Sequence, residues 1–225
     1  MLKAVLFDMD GVIVNTEPLH RKAFFQTFND INIDISDDVF ASFTGRTTMA
    51  ICKALVEEFK LPMAPQTMVD IKRHHFKYLF ENDSELDLLD GVFDLIKEYH
   101  SNGLSLVLAS SSSMDNINNI FDRFNLNPYF VGKMSGTELK ASKPHPEIFE
   151  NAALASGHQR HECMVIEDST NGIIAAKNAG IFCVGYDSVF SKDQDYTLAD
   201  LVINDFKEIS YPIISEHFKS VVMSR

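Results

Sequence analysis

The sequence predicts an α/β protein: a doubly wound parallel sheet, with an all-helical segment inserted after its first strand. Three observations predict it. Short, continuous apolar runs recur along the chain, as strands buried on both faces require. Stretches of helical period lie between them, and the long stretch from about Glu17 to Asn82 carries no strand-like run.

The first run, Ala4-Val5-Leu6-Phe7, is rich in strand formers and stops at Asp8. The helical stretch follows, with Leu19, Ala23, Phe24 and Phe28 spaced for one face and Ile51, Leu55 and Phe59 for another. Pro18 sits near the start of its first helix, and Asp90-Gly91 marks the return to the sheet. Beyond it, Val92–Tyr99, Ile117–Phe124, Glu147–Ala155 and Asn171–Ala179 have helical period. Leu104–Ala109, Cys163–Ile166, Ile181–Val184 and Leu201–Ile203 read as further strands. The expected organisation is a core of residues 1–15 and 83–225 and a helical domain of residues 16–82.

Composition narrows the partners. The chain has 225 residues, 45% of them hydrophobic, enough to bury a substantial core. Its formal charge of -12 would repel a nucleic acid or an anionic membrane over most of the surface, so neither is an expected partner. Cys52, Cys163 and Cys183 are odd in number, far apart and mostly set among apolar neighbours. They read as reduced core residues of a cytoplasmic protein. Asp8 and Asp10 interrupt the N-terminus before the apolar run of about 7–15 residues that a secretory signal needs. No stretch is long enough to span a membrane, and with no coiled coil or disulfide pair to hold a partner the default expectation is a monomer.

In open α/β sheets, ligands bind outside the carboxyl ends of the strands, so the polar residues that end the apolar runs carry most information. The first run ends in Asp8-Met9-Asp10-Gly11 and the second in Ser110. Ala141-Ser142-Lys143-Pro144 precedes a helix, and Met164-Val165-Ile166 ends in Glu167-Asp168-Ser169. Carboxylates converging on one sheet edge repel each other unless a cation neutralises them, and carboxylate oxygens suit Mg²⁺. Asp8 and Asp168 are the expected side-chain ligands, with Glu167 binding a metal-held water. Such a site suits attack on a phosphate: Asp8 as nucleophile, Lys143 neutralising the phosphoryl oxygens, and Ser110 donating a hydrogen bond. Asp10, just past the strand end, is positioned as general acid and base. Gly11 allows the sharp turn between them.

Asp8-Met9-Asp10-Gly11-Val12, Ser110, Lys143 and Glu167-Asp168, in this order, resemble the four motifs of the haloacid dehalogenase superfamily, and the match runs essentially the whole chain. Asn15-Thr16-Glu17-Pro18-Leu19-His20, Ala141-Ser142-Lys143-Pro144-His145-Pro146 and Glu167-Asp168-Ser169-Thr170-Asn171-Gly172 are most similar to its branch of β-phosphoglucomutase and small sugar-phosphate phosphatases. The resemblance implies a Rossmann-like core, a four-helix cap after the first strand, Mg²⁺ and an aspartyl phosphate on Asp8. It adds the Asp10 main-chain carbonyl as a metal ligand, and Thr16, His20, Gly45, Arg46, Ser111 and Ser112 as substrate-binding residues. The partner it implies is a small phosphorylated metabolite, a sugar or polyol phosphate.

Some residues read more simply. Ser110 also suits the cap of the following helix, a role compatible with phosphate binding, and Ser111, Ser112 and Ser113 each read as turn or cap residues, with Ser112 the best of them for a ligand contact. His74-His75 reads as an exposed helix face, and the eight histidines show no zinc spacing. In the mutase pattern an Arg follows the cap glycine, a second Lys stands in the cap and a Lys follows the serine loop. The aligned positions here are Thr48, His74 and Ser113, although Arg46, Lys72 and Arg73 lie close by. Hydrolysis of a small sugar or polyol phosphate is therefore expected first, a β-phosphoglucomutase-type transfer second, and a non-catalytic sugar-phosphate binder third. The third would tolerate loss of Asp8 or Asp10, and both are present.

Overall fold

The computed structural model describes residues 1–43, 48–191 and 193–223. The chain divides into two compact units, Met1–Asn15 with Asp87–Arg225, and Thr16–Leu86. The second unit thus ends at Leu86 rather than at 82. The return to the sheet is made just after it, where Leu88 bridges Val14 and the Leu89 N–H donates to the Ile13 carbonyl at 2.9 Å.

The first unit is a six-stranded parallel sheet: β1 (Ala4–Phe7), β2 (Ser105–Ser110), β3 (Phe130–Ser135), β4 (Cys163–Glu167), β5 (Phe182–Tyr186) and β6 (Leu201–Ile203), in spatial order β3-β2-β1-β4-β5-β6. β1, β2 and β4 are apolar along nearly their whole length because helices cover both of their faces. On one face Ala4, Leu6, Val107, Ala109 and Val165 pack with Ile148, Phe149 and Ala152. On the other, Phe7 meets Tyr99 and Phe130 at ring-centroid separations of 6.4 and 5.7 Å. Tyr99 is fully buried and its hydroxyl donates to the Ile209 carbonyl at 2.5 Å, so the ring adds core volume without leaving a polar atom unsatisfied.

β3 has no counterpart among the expected strands. It is an edge strand, with Val131 62% exposed and Gly132 and Lys133 at its centre, so it lacks the apolar run that marks the buried strands. The Lys133 ammonium is engaged at the rim, donating to Asn118 Oδ1 at 2.7 Å and Asn127 Oδ1 at 3.0 Å.

The second unit holds α1 (Glu17–Asp30), α2 (Asp37–Ala41), α3 (Thr48–Glu58) and α4 (Pro65–Asn82). Phe24, Phe28, Ile51, Cys52, Leu55, Met68 and Val69 form its core. Phe59 departs from the expected face: it lies just beyond α3 and is 37% exposed. In the first unit follow α5 (Val92–Ser101), α6 (Met114–Arg123), α7 (Glu147–Ser156), α8 (Thr170–Asn178) and α9 (Tyr211–Met223).

Candidate active site

β1 lies between β2 and β4, where the winding of the sheet reverses, and the site is built at the carboxyl ends of these three strands. Asp8 directly follows β1, its N–H donating to the Ile166 carbonyl at 3.0 Å. Ser110 closes β2 and Glu167 closes β4. Past Asp8 the chain folds back tightly: the Met9 carbonyl accepts from the N–H groups of Val12, Ile13 and Val14, and the Gly11 N–H donates to the Val14 carbonyl at 2.8 Å. Gly11 has φ 85°, and a Cβ there would overlap the Asp168 carboxylate. A Cβ on Gly172 would likewise overlap the Glu167 carboxylate. Both glycines serve close approach to an acidic side chain.

Asp8, Glu167 and Asp168 each bring one carboxylate oxygen within 4.8 Å of the others. Only 7%, 0% and 9% of these residues is exposed. The Lys143 ammonium lies among them, 2.5 Å from Asp8 Oδ1 and 2.6 Å from Glu167 Oε1, and donates to the Ala109 carbonyl at 3.1 Å. Glu167 Oε2 accepts from the Ser169 N–H and hydroxyl, both at 2.9 Å. Ser169 in turn caps α8, accepting from the Gly172 N–H at 3.1 Å.

The electrostatics follow from three buried carboxylates against one ammonium. Burial works against the charged form of Lys143, but Asp8 and Glu167 outweigh it and hold the ammonium above its ordinary value. Burial pushes Asp8 well up, with Glu167 and Asp168 adding to the effect and Lys143 opposing it. Asp168 is pushed up to about 7, by burial first and then by Glu167. A cluster of hard oxygen donors left net negative after its one ammonium is counted is matched to a hard divalent cation.

Asp10 belongs to a second set. The Ser112 hydroxyl donates to Asp10 Oδ2 at 2.9 Å. Ser112 is itself placed by two contacts, its N–H to Ser110 Oγ at 3.0 Å and its carbonyl to the Ser135 hydroxyl at 2.7 Å. The cap of α6 is Ser113, whose Oγ accepts from the Asn116 N–H at 3.4 Å, and not Ser110. Ser110 ends its strand three residues before that position and shapes the loop instead. Ser111 is exposed.

In the second unit, Thr16 stands at the N-cap position of α1 and is buried. His20 Nδ1 is 2.6 Å from the Lys72 ammonium, and its ring stacks on Phe76 with centroids 4.2 Å apart. An ammonium only donates, so Nδ1 accepts and the ring proton sits on Nε2. Lys72 is 3% exposed and lies over the rings of Phe24 and Phe76. Of the residues near the aligned cap position it is Lys72 that points inward, while Arg73 and His74 are exposed. Gly45 and Arg46 lie outside the described residues.

Burial, and then Lys72, lower the His20 pKa to about 3. His20 therefore stays neutral in the fold while the unfolded chain takes up a proton near pH 6.5, so stability present above that pH drains away as pH falls toward 3. Urea unfolding measured from pH 7.5 to pH 4 should show a shallower loss in His20→Asn than in the unaltered protein. Equal slopes would count against this pairing.

Two further residues meet the acidic cluster and carry no motif signal: the Ser191 hydroxyl donates to Asp168 Oδ2, and the Tyr196 hydroxyl donates to the Asp168 carbonyl at 2.9 Å. Their only sequence cue is that they follow β5, at the same end of the sheet.

Residues 5–186 match the model of the haloacid dehalogenase-like hydrolase family. The chain belongs to that family. Its relatives include protein CbbY of Cereibacter sphaeroides, 28% identical with 93% of this chain and 94% of that protein covered. Others are the β-phosphoglucomutase of Bacillus subtilis, 29% identical with 97% and 96% covered, and hexitol phosphatase B of Escherichia coli, 26% identical with 92% and 94% covered. Among solved structures, CbbY from Rhodobacter sphaeroides in complex with phosphate superposes with a TM-score of 0.82 at 26% identity, covering 93% of this chain and 96% of that one. With phosphatases and a phosphomutase matched almost end to end, this family member is a phosphohydrolase or phosphomutase. Among the described residues no helix is long and apolar enough to cross a membrane.

Proposed function

We propose that the protein is a Mg²⁺-dependent phosphatase of a small sugar or polyol phosphate, with Asp8 as nucleophile and Asp10 as general acid and base. The observation that carries this reading is the Asp8 carboxylate at the end of β1, charge-paired with Lys143 and grouped with Glu167 and Asp168. Substrate chemistry is drawn from the relatives, among them a hexitol phosphatase and a validoxylamine A 7'-phosphate phosphatase. In this reading Thr16–Leu86 is the cap that selects the substrate.

Asp8, Glu167, Asp168 and the Asp10 carbonyl would hold the Mg²⁺, which when bound neutralises phosphoryl oxygens and lowers the repulsion met by an anionic nucleophile. An Asp8 oxygen attacks phosphorus, forming the aspartyl phosphate as the bond from phosphorus to the leaving oxygen breaks. Asp10 gives its proton to that oxygen. A water then attacks the same phosphorus, Asp10 takes the water's proton, and Asp8 is released with phosphate. Lys143 keeps one phosphoryl oxygen paired throughout, and Ser110 offers its hydroxyl to another. Ser112, hydrogen-bonded to Asp10, suits either protonation state because a hydroxyl both donates and accepts.

One observation favours phosphoryl transfer to a second sugar hydroxyl instead. Lys72 supplies a buried cation against His20, the kind of group that holding the distal phosphate of a bisphosphate requires. Purified protein with Mg²⁺ should release phosphate from at least one hexose, pentose or hexitol monophosphate. A parallel coupled assay would follow glucose 1-phosphate isomerisation with a bisphosphate activator. Robust isomerisation with little phosphate release would replace the phosphatase reading by the mutase one, and neither activity would remove both.

A further inference from the structure

Asp168 is held unlike its two acidic neighbours. Asp8 and Glu167 both meet the Lys143 ammonium, whereas Asp168 Oδ2 accepts from the Ser191 hydroxyl. Ser191 lies in the loop between β5 and β6, and that loop is strapped to the start of α8. Tyr196 donates to the Asp168 carbonyl at 2.9 Å and reaches the Tyr186 carbonyl at 3.3 Å, while its ring packs so closely on Gly185 that a Cβ there would stand 2.8 Å from it. Gln194 Oε1 accepts from the Thr170 N–H at 2.8 Å and from its hydroxyl at 3.0 Å, and the Asp195 N–H donates to Thr170 Oγ1 at 2.8 Å. Ser191 itself is held on the near side of the loop, where its N–H donates to the Ser188 carbonyl at 3.0 Å. On its other side Oδ2 is closed off by Gly11, whose Cβ position it fills.

An Asp168 carboxylate so held has Oδ2 committed to the Ser191 hydroxyl, which favours coordination of a cation through the other oxygen. That distinction separates two common ions. Mg²⁺ is small, takes six ligands in a near-ideal octahedron and uses carboxylates one oxygen at a time; Ca²⁺ accepts six to eight ligands and readily takes both oxygens of a carboxylate. Partners that orient a ligand matter to affinity by about 10–100-fold. We propose that Ser191 is a positioning residue that limits Asp168 to a single donor oxygen and thereby makes the site discriminate Mg²⁺ from Ca²⁺. This rests on the reading of Asp8, Glu167 and Asp168 as a Mg²⁺ site.

The test is binding, with the full chain and the ions alone. Bound Mn²⁺ is followed by electron paramagnetic resonance and displaced with Mg²⁺ or Ca²⁺, which yields both affinities and their ratio. In Ser191→Ala the preference for Mg²⁺ over Ca²⁺ should fall by about tenfold, the lower end of the range for such partners, and Ser191→Thr, which keeps the hydroxyl, should retain it. An unchanged ratio in Ser191→Ala overturns the proposal, and so does equal weakening of both ions, which would mean that Ser191 only braces its loop. Absence of any Mg²⁺ binding by the unaltered protein is a separate result: it removes the metal site, and this inference with it.

Discussion

Asp8→Asn is expected to lower turnover of any phosphomonoester substrate by at least about a thousandfold while the protein stays folded. The amide matches the carboxylate in shape and keeps an oxygen for the Lys143 ammonium, so the packing at the end of β1 survives. What it loses is the anionic oxygen that attacks phosphorus. Burial and the neighbouring acids push the Asp8 pKa up, and the Lys143 ammonium opposes them, so the charged form of Asp8 depends on the positive charge beside it. Two measurements check the prediction together. Rapid acid quench and intact-mass analysis should find a phosphorylated protein during turnover by the unaltered enzyme and none for Asp8→Asn, and the melting temperatures should differ by only a few degrees. Turnover near the unaltered rate in the variant would end the nucleophile assignment.

Lys143→Met should have the second largest effect, and it should act on stability as well as rate. Its ammonium is the positive partner of both Asp8 and Glu167, and its side chain is only 6% exposed, so solvent does little to screen the loss. Removing one member of a buried charge cluster leaves the others uncompensated, at a cost of about 3–5 kcal/mol. Activity should fall at least about a hundredfold, because the transferring phosphoryl group loses a fixed counter-charge. Because Mg²⁺ would neutralise the same carboxylates, it should raise the melting temperature of the variant more than that of the unaltered protein. A variant as stable as its parent in chelator, with no extra response to Mg²⁺, would show that the ammonium is not the counter-charge proposed.

Much of this architecture is legible in one dimension because burial on both faces of a parallel strand writes an uninterrupted apolar run. Ala4–Phe7 is expected and observed with the same ends, and the runs at Cys163 and Leu201 are found as β4 and β6. The polar residues that terminate β1, β2 and β4 are legible for the same reason: the sheet order brings those ends side by side, and Asp8, Ser110 and Glu167 are the last things the runs say. β3 is illegible because an edge strand is only half covered and tolerates Gly132 and Lys133 where a central strand does not. α9 lies outside the helical stretches that the sequence pattern marks.

What sequence alone determined is therefore the alternation of strand and helix, the helical insertion, the family, and the acidic and basic residues at the strand ends. These are local properties, written in runs, periods and fixed spacings. Tertiary structure decided which side chains meet. At roughly 100° per residue, helix rotation turns Lys72 inward to His20 and leaves Arg73 and His74 outside, a difference that no motif spacing resolves. Chain reversal after β2 makes Ser113 the cap of α6 and sets Ser112 on Asp10. Only the packing of a loop twenty-odd residues downstream brings Ser191 to Asp168, because that contact depends on where the β5 turn folds back over α8 and on nothing recorded in the residues between them.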